Sequence, residues 1–240
     1  MSSDNVKYYG HRGIFDNVRV FENTLSAFEY ALKYNVGIEL DVRMTQDHVL
    51  VVFHDKNLKR LFNENIEVKD LTYVDLKNYT FNNEPIPTLQ DTLKRIDGKV
   101  DLIVEIKEGL ETDVLCTKVT ELLDVYKGQF SVESFDPRIV RWFKIHRPTF
   151  KRGLLVMPAS KYESYAVGLL MRSFLPHLMC KPDFYAYEVT LGKHFIARFF
   201  MELMAKEIVI WTHKPGMNIY LKHQSIIFED ARLLKETIYD

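Results

Sequence analysis

Short apolar runs and amphipathic stretches alternate along the 240-residue chain. Eight of the runs are rich in Val, Ile and Tyr and end at a clear break, as buried parallel strands do. They cover residues 6–10, 37–42, 100–106, 129–134, 151–156, 183–188, 207–211 and 225–228. The stretches between them carry helical spacing: Leu25, Phe28 and Leu32 behind an N-cap at Asn23 or Thr24, then Val114, Val119, Leu122 and Leu123, then Ile196, Phe199, Phe200 and Leu203. No linker, charge block or fixed-period repeat divides the chain. The pattern therefore predicts one α/β domain over residues 1–240, a (β/α)8 barrel. An open doubly wound sheet that binds a dinucleotide would carry GxGxxG after its first strand. Gly10-His11-Arg12-Gly13 is not that motif, and neither a P-loop nor HExxH occurs.

One run breaks the alternation. Residues 49–53 follow the second strand after only Gln46-Asp47-His48, too few for a helical crossover, so they read as its antiparallel hairpin partner. A turn centred on Gln46-Asp47 sets His54 opposite Glu39 and Val52 opposite Asp41. Side chains alternate with period two, so Glu39 and Asp41 share a face. His54 joins them only in that register, since a slip of one residue removes it.

Two carboxylates near the carboxyl end of a buried strand need partners. A bound hard cation supplies them, and so do ion pairs with Arg12, Arg43 and Lys107. Glu105, near the end of the run 100–106, is a third carboxylate, with Lys107 on the same side of that strand. The set Glu39, Asp41 and Glu105 offers oxygen alone, which suits Mg²⁺ or Ca²⁺ better than zinc. His11 and His54, at strand ends, are then available for proton transfer, although a histidine there often serves structure alone. Arg12 and Lys107 are donors suited to a phosphate. Together these groups describe phosphoryl transfer. Asn23 and Thr24 read as a helix start, Trp211 as core or pocket wall, and the other six histidines receive no role.

Composition narrows the partners. With 47% hydrophobic and 27% charged residues the chain is of ordinary globular make-up. Its 32 basic and 33 acidic residues give a formal charge of −1, so no basic field exists to hold nucleic acid. Cys116 and Cys180 form neither a disulfide framework nor a zinc motif and read as reduced, partly buried thiols. The polar start, without a cationic flank and long apolar core, points to a cytoplasmic protein. Residues 165–180 form an apolar run too short and too interrupted to span a bilayer. They read either as an outer helix packed on the barrel or as a partly exposed patch serving a homodimer or a peripheral membrane contact.

In order and spacing, Gly10-His11-Arg12-Gly13, Glu22-Asn23-Thr24, Ile38-Glu39-Leu40-Asp41-Val42, Val51-Val52-Phe53-His54-Asp55, Pro87-Thr88-Leu89 and Val104-Glu105-Ile106-Lys107 resemble the glycerophosphodiester phosphodiesterase family. The resemblance is specific over the first 107 residues and loose after about 150. It implies a TIM barrel of the phospholipase-C-like phosphodiesterase type with a small insertion after the second strand, here about residues 56–87. It further implies His11 and His54 as the catalytic acid/base pair, Arg12 and Lys107 as phosphate-binding residues, and Glu39, Asp41 and Glu105 as ligands of one divalent cation, Mg²⁺ or Ca²⁺. The implied reaction is hydrolysis of glycerophosphodiesters to sn-glycerol 3-phosphate and an alcohol, in phospholipid and glycerol metabolism. Phe21 stands where the family usually has proline, His48 where it usually has glycine, and Phe228-Glu229-Asp230 where it often has Thr-Asp. Alternatives on the same barrel are a lysophospholipase D- or sphingomyelinase D-like enzyme and a non-catalytic phosphodiester-binding module. A zinc hydrolase is disfavoured by the absence of an H-x-H pair on a strand.

Overall fold

The computed structural model describes residues 6–229 except 110, 174 and 194. The elements in chain order are β1 (Lys7–His11), α1 (Leu25–Lys33), β2 (Gly37–Met44), β3 (Leu50–Val52), α2 (Lys59–Phe62), α3 (Tyr73–Leu76), β4 (Thr80–Phe81), β5 (Glu84–Pro85), α4 (Leu89–Ile96), β6 (Leu102–Ile106), α5 (Thr112–Leu123), β7 (Phe130–Ser134), α6 (Pro137–His146), β8 (Lys151–Val156), α7 (Tyr165–Met171), α8 (Leu175–Cys180), β9 (Phe184–Glu188), α9 (Phe195–Met204), β10 (Ile208–His213) and β11 (Ser225–Phe228). All eight expected strands are present, with ends within about two residues of the expected ones, the usual boundary uncertainty. The fold class is the (β/α)8 barrel.

By their contacts the residues fall into two compact units, Arg12–Phe130 and the remainder. In the first, β6 lies parallel to β2, with Asp41 beside Glu105 and Leu40 beside Val104, and β3 lies antiparallel on the other side of β2. Every residue of β6 is buried, which is why it reads as a continuous apolar run interrupted only by Glu105. Helix α1 starts where the Thr24 hydroxyl accepts from the Ala27 amide, and α4 starts the same way with Thr88 and Asp91. In the second unit β8, β9, β10, β11 and β1 form a parallel ladder, with β7 beside β8. Tyr185, Tyr187, Leu154, Val156 and Ile210 pack there in a common core with Met171 and Met201.

The hairpin register is one residue away from the expected one. Val42 faces Val52, Arg43 faces Val51 and Met44 faces Leu50. The cause is the turn, which is centred on Asp47 and uses three residues, Gln46, Asp47 and His48. Thr45 donates its amide to the Val49 carbonyl at 3.0 Å. His48 takes a left-handed conformation at φ 61°, the position a three-residue hairpin loop normally gives to glycine.

The insertion after β3 holds α2, a 3₁₀ turn at Val68–Asp70, α3 and the β4–β5 ribbon. It has a small core of its own: Leu58, Val68, Leu76, Phe81 and Ile86 pack with Val51 and Phe53 of the hairpin. Phe21 stacks on Phe81 at 4.8 Å, a contact the usual proline does not make in this form.

Segment 165–180 is neither one helix nor a buried one. It forms α7 and α8, with Gly168, Met171, Pro176 and Cys180 buried, while Tyr165, Val167, Leu169, Leu170, Leu175 and Leu178 are about half exposed or more. Phe174 lies outside the described residues, as do His194 and Asp230. Among the described residues no helix is long and apolar enough to cross a membrane. Both cysteines are buried and neither is in a disulfide, and burial pushes the Cys180 thiol up to about 12.

Candidate active site

Alternation along β2 turns Glu39 and Asp41 to one face, and the parallel register with β6 sets Glu105 beside Asp41. Each of the three carboxylates offers an oxygen within 4.8 Å of the others, and all three residues are buried. Two residues past Glu105 on the same side, Lys107 places its Nζ 2.7 Å from Asp41 Oδ1 and hydrogen-bonded to Glu105. Its own amide donates to the Val42 carbonyl, which fixes the backbone from which it reaches back.

Arg12 enters from the end of β1. Its amide donates to Glu39 Oε2 at 2.9 Å, its Nε lies 3.3 Å from Asp41 Oδ2, and its Nη1 donates to Glu22 Oε1 at 2.6 Å. The chain makes this bend with two left-handed residues, Arg12 at φ 57° and Gly13 at φ 85°. A side chain on Gly13 would lie 2.8 Å from Ala27 Cβ, so helix α1 packs directly on the bend and only glycine fits. Arg12 is a non-glycine residue in a sparsely populated region, held there by the Asn23 amide on its carbonyl. Asn23, itself at φ 58°, clamps Asp41 twice. Its Nδ2 donates to Asp41 Oδ2 at 2.7 Å and its Oδ1 accepts from the Asp41 amide.

The electrostatics follow from burying unlike charges together. Burial works against the Arg12 and Lys107 charges, but the surrounding carboxylates, Asp41 foremost, hold both pKa values above their ordinary ones. Burial raises the Glu105 carboxyl, Lys107 opposes the rise and Asp41 adds to it, leaving Glu105 above its usual range. Burial lowers Arg43 despite Glu108, Asp41 and Glu105 nearby.

The expected pairing of His54 opposite Glu39 does not form. In the observed register the ladder would turn it away from Glu39 and Asp41, but β3 ends at Val52 and the Phe53 amide makes a last bond to the Asp41 carbonyl. The chain then leaves the ladder. Arg43 Nε donates to the His54 carbonyl at 2.8 Å, and His54 Nδ1 lies 2.7 Å from Asp55 Oδ1. His11 is the last residue of β1, directly before Arg12 in the chain.

The ion-pair reading of the carboxylates is observed, with Arg12 and Lys107 as partners of the same oxygens that a cation would use. Glu22, Asp55 and Arg60 carry no assigned role in the sequence pattern, and Asn23 none beyond a helix start. Thr24 alone fills that part.

The model of the glycerophosphoryl diester phosphodiesterase family matches residues 11–212. The chain belongs to that family. Membership places it among the phosphodiester hydrolases. A curated relative in Bacillus subtilis, YhdW, is 36% identical over 57% of this chain, and the matched stretch spans 61% of that relative's length. The glycerophosphodiester phosphodiesterase of Caldanaerobacter subterraneus is 34% identical over 72% of this chain and 80% of its own. The solved structure of the Thermotoga maritima glycerophosphodiester phosphodiesterase is 26% identical. It covers 97% of this chain and 98% of its own, with a TM-score of 0.76. The buried, all-oxygen donor set of Glu39, Asp41 and Glu105 could hold the divalent cation on which the family depends.

Proposed function

We propose that the chain hydrolyses small glycerophosphodiesters to sn-glycerol 3-phosphate and an alcohol, using one divalent cation, Mg²⁺ or Ca²⁺. The observation that carries this reading is the cluster of Glu39, Asp41 and Glu105 with Arg12 and Lys107 among them. Family membership gives that cluster a phosphodiester to act on. Glu39, Asp41 and Glu105 would hold the cation, which when bound supplies positive charge for the phosphate oxygens. Arg12 and Lys107 donate to the remaining phosphate oxygens and offset the charge that builds there during displacement. His11 and His54 move the protons. One takes a proton from the glycerol 2-hydroxyl or from water and the other gives one to the departing alkoxide, which leaves the first protonated and the second deprotonated until a second step with reversed roles, or exchange with solvent, restores both. If the 2-hydroxyl attacks, the same pair opens the resulting cyclic phosphate with water. His54 presents Nε2 to the reaction, because its Nδ1 is engaged by Asp55.

Product analysis with glycerophosphocholine, run with Mg²⁺, with Ca²⁺ and with chelator, tests the reading. Glycerol 3-phosphate should appear only with a cation, and His11→Ala and His54→Ala should each lose roughly 10² or more in turnover. Full activity in excess chelator overturns the cation, an unaffected His54→Ala enzyme overturns its role, and a cyclic phosphate as sole end product replaces hydrolysis by a lyase reaction.

The exposed apolar side chains of α7 and α8 rest, on this reading, against a lipid surface. Arg172 and Lys181 lie within residues 164–182 and Glu163 and Asp183 directly flank that stretch, so the charges balance and the half-exposed apolar side chains are what supports the contact.

A further inference from the structure

Arg60 lies in α2, within the insertion. All three of its guanidinium nitrogens are engaged. Nε donates to Asp55 Oδ2 at 2.6 Å, Nη1 to Glu22 Oε2 at 2.9 Å and Nη2 to Glu22 Oε1 at 2.6 Å. Each of these carboxylates has a second task. Asp55 turns its other oxygen to His54 Nδ1, and Glu22, itself buried, receives Arg12 Nη1 on Oε1 and Asn17 Nδ2 on Oε2. One side chain thus stands at the junction of two short chains, Arg60–Asp55–His54 and Arg60–Glu22–Arg12. A lysine cannot take its place without loss, because a point charge cannot span two carboxylates with a planar fork.

We propose that Arg60 is a positioning residue of the phosphodiester site: it fixes Asp55 and Glu22 so that the imidazole of His54 and the guanidinium of Arg12 are presented together. The proposal rests on the roles given above to His54 and Arg12. Without Arg60, Asp55 is free to rotate and no longer fixes which imidazole nitrogen carries the hydrogen, and Glu22 keeps one arginine where it had two. The insertion then has a use beyond covering the barrel, since its first helix carries the residue that links the acid/base group to the phosphate grip. Groups that orient a reacting residue in this way typically account for about 10- to 100-fold in activity.

The test compares Arg60→Met and Arg60→Lys with the unaltered enzyme on glycerophosphocholine, and reads the His54 ring by ¹⁵N-edited NMR. Arg60→Met should lower kcat by about 10- to 100-fold and raise KM, with Arg60→Lys in between. Guanidinium ion added to Arg60→Ala should restore part of the rate, where sodium chloride at the same concentration does not. Asp55→Asn should add little to the kcat loss of Arg60→Met, because both break one link. In the unaltered protein the His54 spectrum should show a protonated Nδ1 in a hydrogen bond, and Arg60→Met should lose that signature. Wild-type kcat and KM in Arg60→Met, or an unchanged His54 spectrum, overturns the proposal. If Arg60→Met does not fold, Arg60→Lys carries the same comparison. If the unaltered protein turns over no glycerophosphodiester, the functional reading fails while the ring spectrum still decides whether Arg60 orients His54.

Discussion

At Asp55 several forces compete over one carboxyl group. Partial burial raises its pKa, but hydrogen bonds from His54 and Arg60 and their charges outweigh burial and bring it down to about 2. Glu22 is also held below its usual range: burial opposes this, and the bonds and charges of Arg60 and Arg12 prevail. A carboxyl whose folded pKa lies below its unfolded value contributes stability in full above the unfolded value, about 4, and loses it as pH falls through the folded one. Stability should therefore drop between about pH 4 and pH 2, with about 1–2 kcal/mol of the drop traceable to Asp55. Arg60→Gln removes the cation common to both groups. Urea unfolding of this variant across pH 2.5–7 should show lower stability at neutrality and a flatter acid limb, whereas a curve parallel to wild type would contradict the linkage. The part played by Glu22 was not legible from neighbours in sequence. Asp55 lies beside His54 and five residues from Arg60, but Glu22 is 38 residues from Arg60 and meets it only because the insertion folds back. Asn23 likewise reaches Asp41 across 18 residues through a left-handed backbone that no periodicity announces.

The hairpin shows at the level of elements what pattern can and cannot fix. Its existence follows from three intervening residues, too few for a crossover, but its register depends on whether the tip uses two residues or three. Histidine at position 48 argued against a left-handed turn residue, and the structure places it there all the same, tied by Nε2 to Glu111 Oε2 at 3.0 Å. β3 ends at Val52, so the shifted ladder stops two residues short of His54 and does not by itself set where that side chain lies. The α7–α8 segment was legible as apolar and as unable to span a membrane, but its split into two short helices follows from Pro176 and from packing that buries only one side. If that exposed side rests on lipid, Leu169→Ser with Leu170→Ser should reduce co-sedimentation with phosphatidylglycerol vesicles several-fold. Both residues are about half exposed, so folding and the hydrolysis of water-soluble glycerophosphocholine should stay near wild type. Undiminished vesicle binding would remove the lipid assignment. An altered elution volume on gel filtration, with lipid binding intact, would give the surface to a second copy of the chain.

For the molecule as a whole, the eight parallel strands were readable because each is a local apolar run, while the meeting of Glu39, Asp41 and Glu105 required the strand register as well. That meeting works against stability. Burial and the neighbouring Asp41 hold the Glu105 pKa above its ordinary value even with Lys107 bonded to it. The sign is then opposite to that of Asp55. A carboxyl whose folded pKa exceeds its unfolded one penalises the fold above the folded pKa, and the penalty fades as pH falls to the unfolded value. Glu105→Gln removes the charge and keeps the shape, and Lys107 retains Asp41 at 2.7 Å. In chelator at pH 7 the Tm of this variant should equal or exceed that of the wild type, by a few degrees at most, and the difference should shrink toward pH 4. A cation that binds only the folded chain adds stability by mass action, about 2.7 kcal/mol at a hundred times its Kd. Wild-type Tm should accordingly climb with added Mg²⁺ or Ca²⁺, and that of Glu105→Gln should scarcely move. A variant clearly less stable than wild type in chelator would make Glu105 a structural ion-pair partner, and a wild-type Tm indifferent to both cations would leave the three carboxylates without the ion their geometry fits.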